Sequence, residues 1–322
     1  MIAISMLTLR PGRMGGSETY ARGLTRALAA HGSLEYRCLV RDDGRNAADG
    51  LPAHVGYRLD GARAFHYPFT IPLPPTRLPY AVTLHDLLHH EPQMPAPLYR
   101  RLVRRATYDL GANRATRVIV PSAWVRERAH RLLGIPLDRL RVVHCGIDHA
   151  RFRPDATSRE GFLFYPAQPW PHKNHARLFE AFALLRTERP GLELVLTGAG
   201  FGELPPGVRT LGRVSWEEVA SLYRRAGALV FPSLHEGFGF PPLEAMASGC
   251  PVACSNAGSL PELCGDAAFF FDPASVDELA VAAGRALDEG ASLVGRGVER
   301  AHTFTWAEAA AQHEAVYREL VA

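Results

Sequence analysis

Short apolar, β-branched runs alternate along this chain with longer segments in which apolar residues return every three or four positions. "MIAISML" reads as a first strand. "GGSETYARGLTRALAAHG" follows as a glycine loop and amphipathic helix, with Ser17 as its N-cap and Gly32 as its stop. "EYRCLV" predicts the next strand, and "YAVTLHDLL" predicts a strand running into a loop at His85 and Asp86. Residues 41–80, rich in Pro, Gly and Arg, carry no clear period. Beyond them come a basic helix over 97–115, a strand at "ATRVIVPS", a helix at "AWVRERAHRLLG" and a strand at "RLRVVHCGID".

The polar stretch "HARFRPDATSREG" interrupts this pattern, which then begins again, so the domain boundary is placed there. Strands are predicted at "GFLFYPA", "LELVLTGAG", "VRTLGRV", "ALVFPS", "PVACS" and "AAFFFD". Helices are predicted at "NHARLFEAFALLRTE", "WEEVASLYRRAG", "PPLEAMASG" and "SVDELAVAAGRALDEG". "TWAEAAAQHEAVYREL" closes the chain as an amphipathic helix capped by Thr305. Strands alternating with helices specify an α/β protein with parallel sheets. The expected division is 1–156, 157–304 and a final helix 305–322. Two doubly wound domains facing each other make a cleft, and such sheets bind ligands at the carboxyl ends of their strands.

Composition narrows the function little. The 322 residues are 47% hydrophobic and 21% charged, the balance of an ordinary globular protein. A net charge of +3 gives no argument for nucleic acid. The first apolar run is too short for a signal peptide, and no stretch approaches the roughly 18 apolar residues of a spanning helix. The expectation is a cytoplasmic protein. The five cysteines, Cys38, Cys145, Cys250, Cys254 and Cys264, lack paired spacing and read as structural thiols.

The stretch with the densest candidate chemistry is "HEGFGFPPLEAM". Glu236 stands in the loop after an apolar strand, and Glu244 is placed within the first turn of the following helix. Gly237 and Gly239 let the backbone approach a ligand closely, and a helix start favours an anion such as phosphate. The plainer reading is that Glu244 complements the helix dipole and Glu236 is solvated.

This stretch resembles the E-x7-E signature of retaining GT-B glycosyltransferases, particularly family 4. "SNAGSLPELCGDAAFFFDP", "LTGAG", "LGRVSWEEVASLYRRAGALVFPS" and "PSAWVRERAHRLLGIPLDRLRVVHCGIDHARFRP" extend the resemblance over most of the chain. It implies a GT-B fold of two Rossmann-like domains, the last helix crossing back to the first. By the same resemblance Glu236 contacts donor-sugar hydroxyls and Glu244 accepts from the ribose diol, for which two carboxylate oxygens are apt. Phe238, Gly239, Phe240 and Leu243 would lie along the donor. The loop "YPAQPWPHKNH" resembles the family's phosphate loop, with Lys173 in the lysine position. Gln168 or a neighbour stands where most members carry an arginine. A subset that includes mannosyltransferases of surface-polysaccharide pathways has a similar "PAQxWPHKNH" loop, which favours mannose from GDP-mannose; UDP-glucose stays open.

Gly15 and Gly16, after the first strand, resemble the glycine loop that faces donor phosphates. His85 resembles a histidine that reaches the donor sugar; its plainer reading is an interior histidine, and Asp86 reads as a loop-orienting residue. Gly198, Gly212, Arg213 and Val214 match positions near the nucleotide. Arg100, Arg101, Arg104 and Arg105 make the helix over 97–115 basic, with Leu98, Leu102, Val103 and Ala106 on its other face. That helix reads either as a solvated face or as attracted to an anionic membrane or lipid-pyrophosphate acceptor. No D-x-D triplet occurs, in agreement with metal-independent transfer, and neither a metal nor a cofactor is expected. The implied activity is retaining hexosyl transfer from a nucleotide diphosphate sugar to a glycan, lipid-linked or small-molecule acceptor. The alternatives are an epimerase or phosphorylase on the same fold, or a non-catalytic nucleotide-sugar-binding protein.

Overall fold

The computed structural model describes residues 1–41, 48–91 and 98–322, apart from the side chains of Leu98, Arg100 and Arg101. The backbone packs as two compact units, Met1–Gly146 with Phe304–Ala322, and Ile147–Thr303. The division lies ahead of the polar segment in which the sequence pattern placed it. The physical reason is Phe152, which is buried with its ring edge-on to Tyr223, 5.9 Å away, and so ties the polar segment to the second unit.

In the first unit the chain runs β1 (Ile2–Ser5), α1 (Gly16–His31), β2 (Tyr36–Val40), β3 (Ala53–Val55), β4 (Ala64–Tyr67) and β5 (Tyr80–Thr83). It continues through α2 (Leu98–Arg104), a π-helical turn (Arg105–Asp109), α3 (Leu110–Arg114), β6 (Arg117–Val120), α4 (Ala123–Leu133) and β7 (Leu140–Val142). Among the described residues these strands form one parallel sheet in the order β3-β2-β1-β4-β5-β6-β7. β3 and β4 fall in the stretch where the sequence carried no clear period. Helix α1 starts at Gly16 with Gly15 as its N-cap, so Ser17 lies inside it; Gly32 ends it as expected.

The second unit runs β8 (Leu163–Pro166), α5 (His175–Glu188), β9 (Leu194–Thr197), β10 (Val208–Thr210), α6 (Trp216–Arg225), β11 (Ala228–Phe231) and α7 (Phe240–Ala247). Then follow β12 (Val252–Ser255), α8 (Leu260–Cys264), β13 (Phe269–Phe271), α9 (Val276–Asp288) and α10 (Val294–His302). Its sheet is parallel in the order β10-β9-β8-β11-β12-β13. Fully buried Phe164, Leu196, Val230 and Cys254 show that both faces are covered, as parallel sheets require.

The last helix, α11 (Trp306–Val321), is capped by Thr305, whose hydroxyl accepts from Glu308 N at 3.2 Å. It packs against α1, and a Cβ on Gly23 would stand 2.2 Å from the Trp306 ring, so only glycine allows this approach. Glu314 accepts from the backbone amide of Leu34 at 3.0 Å and from the Ser33 hydroxyl at 2.9 Å, and also bonds Tyr36, tying the helix to the α1–β2 turn. Both sheets are doubly wound. Each reverses its strand order once, between β1 and β4 and between β8 and β11, the places where such sheets bind ligands beyond their strand ends.

Candidate active site

In the second unit, the loops that follow β8 and β11 flank the reversal point. The β8 loop ends in a single 3₁₀ turn, Pro171–Lys173, then Asn174 in the left-handed conformation (φ 59°). Asn174 is buried and donates from Nδ2 to the carbonyls of Pro232, at 3.1 Å, and Pro273, at 2.9 Å. The hydroxyl of Tyr165, on β8, donates to the Lys173 carbonyl at 2.8 Å. Leu234 N donates to the His172 carbonyl at 2.8 Å, so the two loops are bonded together. Lys173 Nζ then meets Glu236 Oε1 at 2.6 Å, with each side chain only 13% exposed, and lies 5.2 Å from the centre of the Phe231 ring.

Burial would raise the Glu236 carboxyl, but the Lys173 ammonium and His172 outweigh it and hold the group below its ordinary value. Glu236 is therefore a carboxylate at neutral pH, an acceptor and not a proton donor. Its backbone is fixed as well. Ser259 N donates to the Glu236 carbonyl at 3.1 Å, and the Ser259 hydroxyl also reaches the Phe238 carbonyl. Gly258, at φ +66°, passes so close that a Cβ there would stand 2.6 Å from the Glu236 carbonyl oxygen.

Gly239 (φ 121°) turns the chain into α7, and no side chain among the described residues caps that helix. Pro241 and Pro242 fill its second and third positions and have no N–H, so Phe240 supplies the one main-chain donor of those three. The anion-binding capacity of this helix start is smaller than its position alone implies. Leu243 is fully buried and Phe238 nearly so, in ring contact with Phe240 at 5.0 Å.

Glu244 is the fifth residue of α7, hence in its second turn and not its first. It is 4% exposed, and its Oε2 accepts from the Tyr223 hydroxyl at 3.1 Å. Burial pushes its carboxyl up to about 7, opposed by the Tyr223 hydrogen bond and Arg151 and reinforced by Asp148. Neither sequence reading, a dipole complement or a ribose ligand, included this tyrosine, which lies on α6.

At the end of β9, Gln168 Oε1 accepts from Ala199 N at 3.2 Å, and Gly198 N donates to the Gly212 carbonyl at 2.7 Å. Gly198 (φ +116°) and Gly212 (φ +68°) both need the left-handed region that glycine tolerates. Gln168, Gly198 and Gly212 are thus brought together. Arg213 is exposed and Val214 half-buried, just before Ser215, the N-cap of α6.

In the first unit the glycine loop is closed by Glu18, which accepts from Gly12 N at 2.7 Å and pairs with Arg22 at 2.9 Å. Gly15, at φ 55° and ψ −131°, opens α1, and Gly16 is its first residue. His85 Nε2 stands 2.7 Å from the Pro68 carbonyl, which can only accept, so Nε2 carries the proton. The ring meets Tyr20 edge-on at 4.9 Å. Burial lowers the imidazole below its ordinary value, more than the Pro68 carbonyl and Asp86 raise it, so His85 is neutral at pH 7. Asp86 Oδ1 accepts from Leu88 N at 3.0 Å, a loop-orienting bond.

His89, His90 and Asp109 form a group that no spacing rule revealed and that could hold a metal ion. In this structure each imidazole Nε2 is bonded to one Asp109 oxygen, at 2.8 and 2.9 Å. The start of the basic segment at residue 97 and the side chains of Leu98, Arg100 and Arg101 lie outside the described residues. Arg104 and Arg105 are exposed, and so are Leu102 (53%), Val103 (57%) and Ala106, so both faces of this stretch meet solvent.

Residues 147–302 match the model of glycosyl transferases group 1, and residues 64–151 match that of glycosyltransferase family 4. The O-antigen chain mannosyltransferase B of Escherichia coli is 30% identical over 273 residues, 76% of this chain and 71% of that protein. The chain belongs to the group 1, family 4 glycosyltransferases. Another relative in the family is the MMP alpha-(1->4)-mannosyltransferase of Mycolicibacterium hassiacum, 36% identical over 206 residues. That match takes in 58% of this chain and 49% of that protein, so the chain spans about half of that relative's length. Among solved structures, a sucrose-phosphate synthase of Thermosynechococcus elongatus superposes with a TM-score of 0.77 at 20% identity, covering 99% of this chain and 98% of that one. Anabaena Alr3699/HepE, in complex with UDP-glucose, gives 0.75 at 19% identity, with 99% of each chain covered. These likenesses concern the fold, which is GT-B: two Rossmann-like units with parallel sheets. Among the described residues, no helix is long and apolar enough to cross a membrane.

Proposed function

We propose that this family 4 protein is a retaining hexosyltransferase that takes its sugar, mannose by preference, from a nucleotide diphosphate donor without a metal ion. The observation that carries this reading is the Lys173–Glu236 pair, held at 2.6 Å by two loops at the reversal point of the second sheet. The pairing keeps Glu236 ionised, suited to accept hydrogen bonds from donor-sugar hydroxyls. Lys173 supplies a positive charge beside the diphosphate as it leaves, where fixed charge acts most strongly on the developing anion. In the proposed step the acceptor oxygen bonds to the anomeric carbon on the face from which the diphosphate departs. The carbon–phosphate-oxygen bond breaks, and the acceptor's proton passes to the departing phosphate oxygen, so configuration is kept.

Around that pair, Gly237, Phe238, Gly239 and Phe240 would follow the sugar and phosphates, Glu244 the ribose, and Gln168, Gly198, Gly212, Arg213 and Val214 the nucleotide. By the resemblance, Gly15, Gly16 and His85 are proposed as further donor ligands. Mannose is favoured by the mannosyltransferases among the relatives, while the HepE complex keeps UDP-glucose as the second donor to try. Exposed Leu102 and Val103 beside Arg104 and Arg105 support peripheral binding to an anionic membrane, which sedimentation with phosphatidylglycerol vesicles tests. The donor test is thermal unfolding with GDP-mannose, UDP-glucose and the free diphosphates, since a ligand bound only by the folded state raises its stability. A shift with GDP-mannose and release of GDP in the presence of an acceptor are expected. Binding without turnover across an acceptor panel would favour a non-catalytic binding protein.

A further inference from the structure

The first unit contains a buried chain of hydrogen bonds that runs from α11 to the neighbourhood of His85. Tyr317 Oη is 2.8 Å from His66 Nδ1, and His66 Nε2 is 2.9 Å from Thr83 Oγ1. Thr83 Oγ1 is 2.7 Å from Tyr20 Oη, which is 2.7 Å from His313 Nε2. His313 Nδ1 ends the chain 2.6 Å from the Ala309 carbonyl. Tyr20, His66, Thr83, His313 and Tyr317 are all buried, so each unmade bond would be costly.

The proton positions follow from one fixed end. A carbonyl only accepts, so His313 carries its proton on Nδ1 and leaves Nε2 bare. Tyr20 has one hydroxyl proton and must give it to that Nε2. Thr83 must then donate to Tyr20, and it accepts from His66 Nε2–H. This leaves His66 Nδ1 bare, to accept from Tyr317. Every donor and acceptor in the chain finds a partner in one direction only. Burial favours the same neutral imidazoles, holding His313 at about 4 and His66 well below its ordinary value.

Tyr20 also has a second contact. Its ring meets His85 edge-on at 4.9 Å and 80°, while His85 is pinned on its other side by the Pro68 carbonyl. We infer that Tyr20 and His313 are positioning residues for the transfer reaction: α11, through this one-way hydrogen-bond chain, sets the orientation of His85. The inference rests on the reading of His85 as a donor-sugar ligand. It gives the last helix a part in supporting the site, in addition to its packing on α1. The Tyr20 hydroxyl cannot turn without leaving His313 Nε2 and Thr83 unpaired, so the ring edge against His85 is fixed by atoms on α11 and β5.

Two readouts test this with the full chain. In long-range ¹H–¹⁵N spectra of the imidazoles at pH 7, the parent protein should show His85 and His66 as Nε2–H and His313 as Nδ1–H. Tyr20→Phe keeps the ring and removes the hydroxyl; His313→Leu removes the acceptor; His313→Gln restores an oxygen acceptor close to the position of Nε2. Tyr20→Phe and His313→Leu should shift the His85 signals, and His313→Gln should return them toward the parent. Should His313→Leu fail to fold, Tyr20→Phe carries the same test. Unchanged His85 signals in Tyr20→Phe would overturn the inference, as would a His313 protonated on Nε2.

The second readout is turnover of GDP-mannose. Tyr20→Phe should lower kcat about tenfold or more with KM for the donor nearly unchanged, and should cost nothing further when His85 is already Ala. Additive losses in the double variant would overturn the positioning role. Parental turnover in His85→Ala alone would instead overturn the reading of His85, an outcome that the spectra distinguish from the first.

Discussion

Replacing Glu244 by Gln should make the protein more stable in mildly alkaline solution while weakening its hold on nucleotide. Glu244 is buried, and its carboxyl is raised from 4.5 to about 7, chiefly by burial. In the unfolded chain the group titrates at its ordinary value. Between those two values the folded state binds more protons than the unfolded one, so stability falls as pH rises through this window and levels off above about 7. At about 1.36 kcal/mol per pK unit, the full loss is about 3 kcal/mol. Glutamine keeps a carbonyl oxygen for the Tyr223 hydroxyl, which donates to Glu244 Oε2 in the parent, and carries no charge to bury. The assay is urea unfolding of parent and Glu244→Gln at pH 5 and pH 8, read as the difference between the two proteins at each pH. The lowered histidines, His66 and His313, titrate alike in both and cancel in that difference. The variant should exceed the parent by under about 1 kcal/mol at pH 5 and by about 3 kcal/mol at pH 8. Parallel stability profiles would refute the burial argument. Because a carboxylate accepts from a vicinal diol better than an amide does, GDP should bind the variant more weakly; equal affinity would refute the proposed ribose contact.

Three other outcomes follow from the same geometry. Lys173→Ala should depress turnover far more than donor KM, and should also raise the Glu236 carboxyl, since burial then acts without the ammonium 2.6 Å away. Activity of that variant should therefore fall off on the acidic side, and a parental pH–rate profile would contradict the pairing. Gly258→Ala should cost on the order of 1–3 kcal/mol of stability and most of the activity, because its Cβ would press on the Glu236 carbonyl at a left-handed φ. A fully active, stable alanine variant would show that this carbonyl moves freely. His85→Ala should lower turnover while GDP affinity, measured by calorimetry, stays at the parental level; an equal loss in both would mean a folding defect.

Much of the second unit was legible in the sequence because its strands are uninterrupted apolar runs and its helices are punctuated. Ser215 and Ser275 cap α6 and α9, and Gly239 with Pro241 marks the entry to α7. β3 and β4 were not legible. β3 is three residues long and largely exposed, and β4 contains His66, a polar residue inside a fully buried strand. What makes that histidine tolerable is Thr83 and Tyr317, partners 17 and 251 residues away, and no local pattern contains them. Helix α10, "VGRGVERAH", is strongly amphipathic at the helical period, but its two glycines and lack of an apolar run hid it from a reading based on apolar residues.

The site divides in the same way. Glu236 and Lys173 each stood in a recognisable loop, but their ion pair joins positions 63 apart. Glu244, a ribose ligand by resemblance, is bonded to Tyr223, 21 positions away; burial raises its carboxyl and the tyrosine bond opposes that rise. The two prolines after Phe240 suit a helix start, but their missing N–H groups also remove the donors that the helix start would have offered.

The Lys173–Glu236 pair is proposed to serve hexosyl transfer. The most direct test of that role is to incubate parent and Glu236→Ala with GDP-mannose and a manno-oligosaccharide panel, following GDP release and acceptor growth by mass spectrometry. The parent should lengthen an acceptor by one hexose. The variant should make no product while still binding GDP as the parent does. Parental rates of acceptor growth in Glu236→Ala would contradict that role.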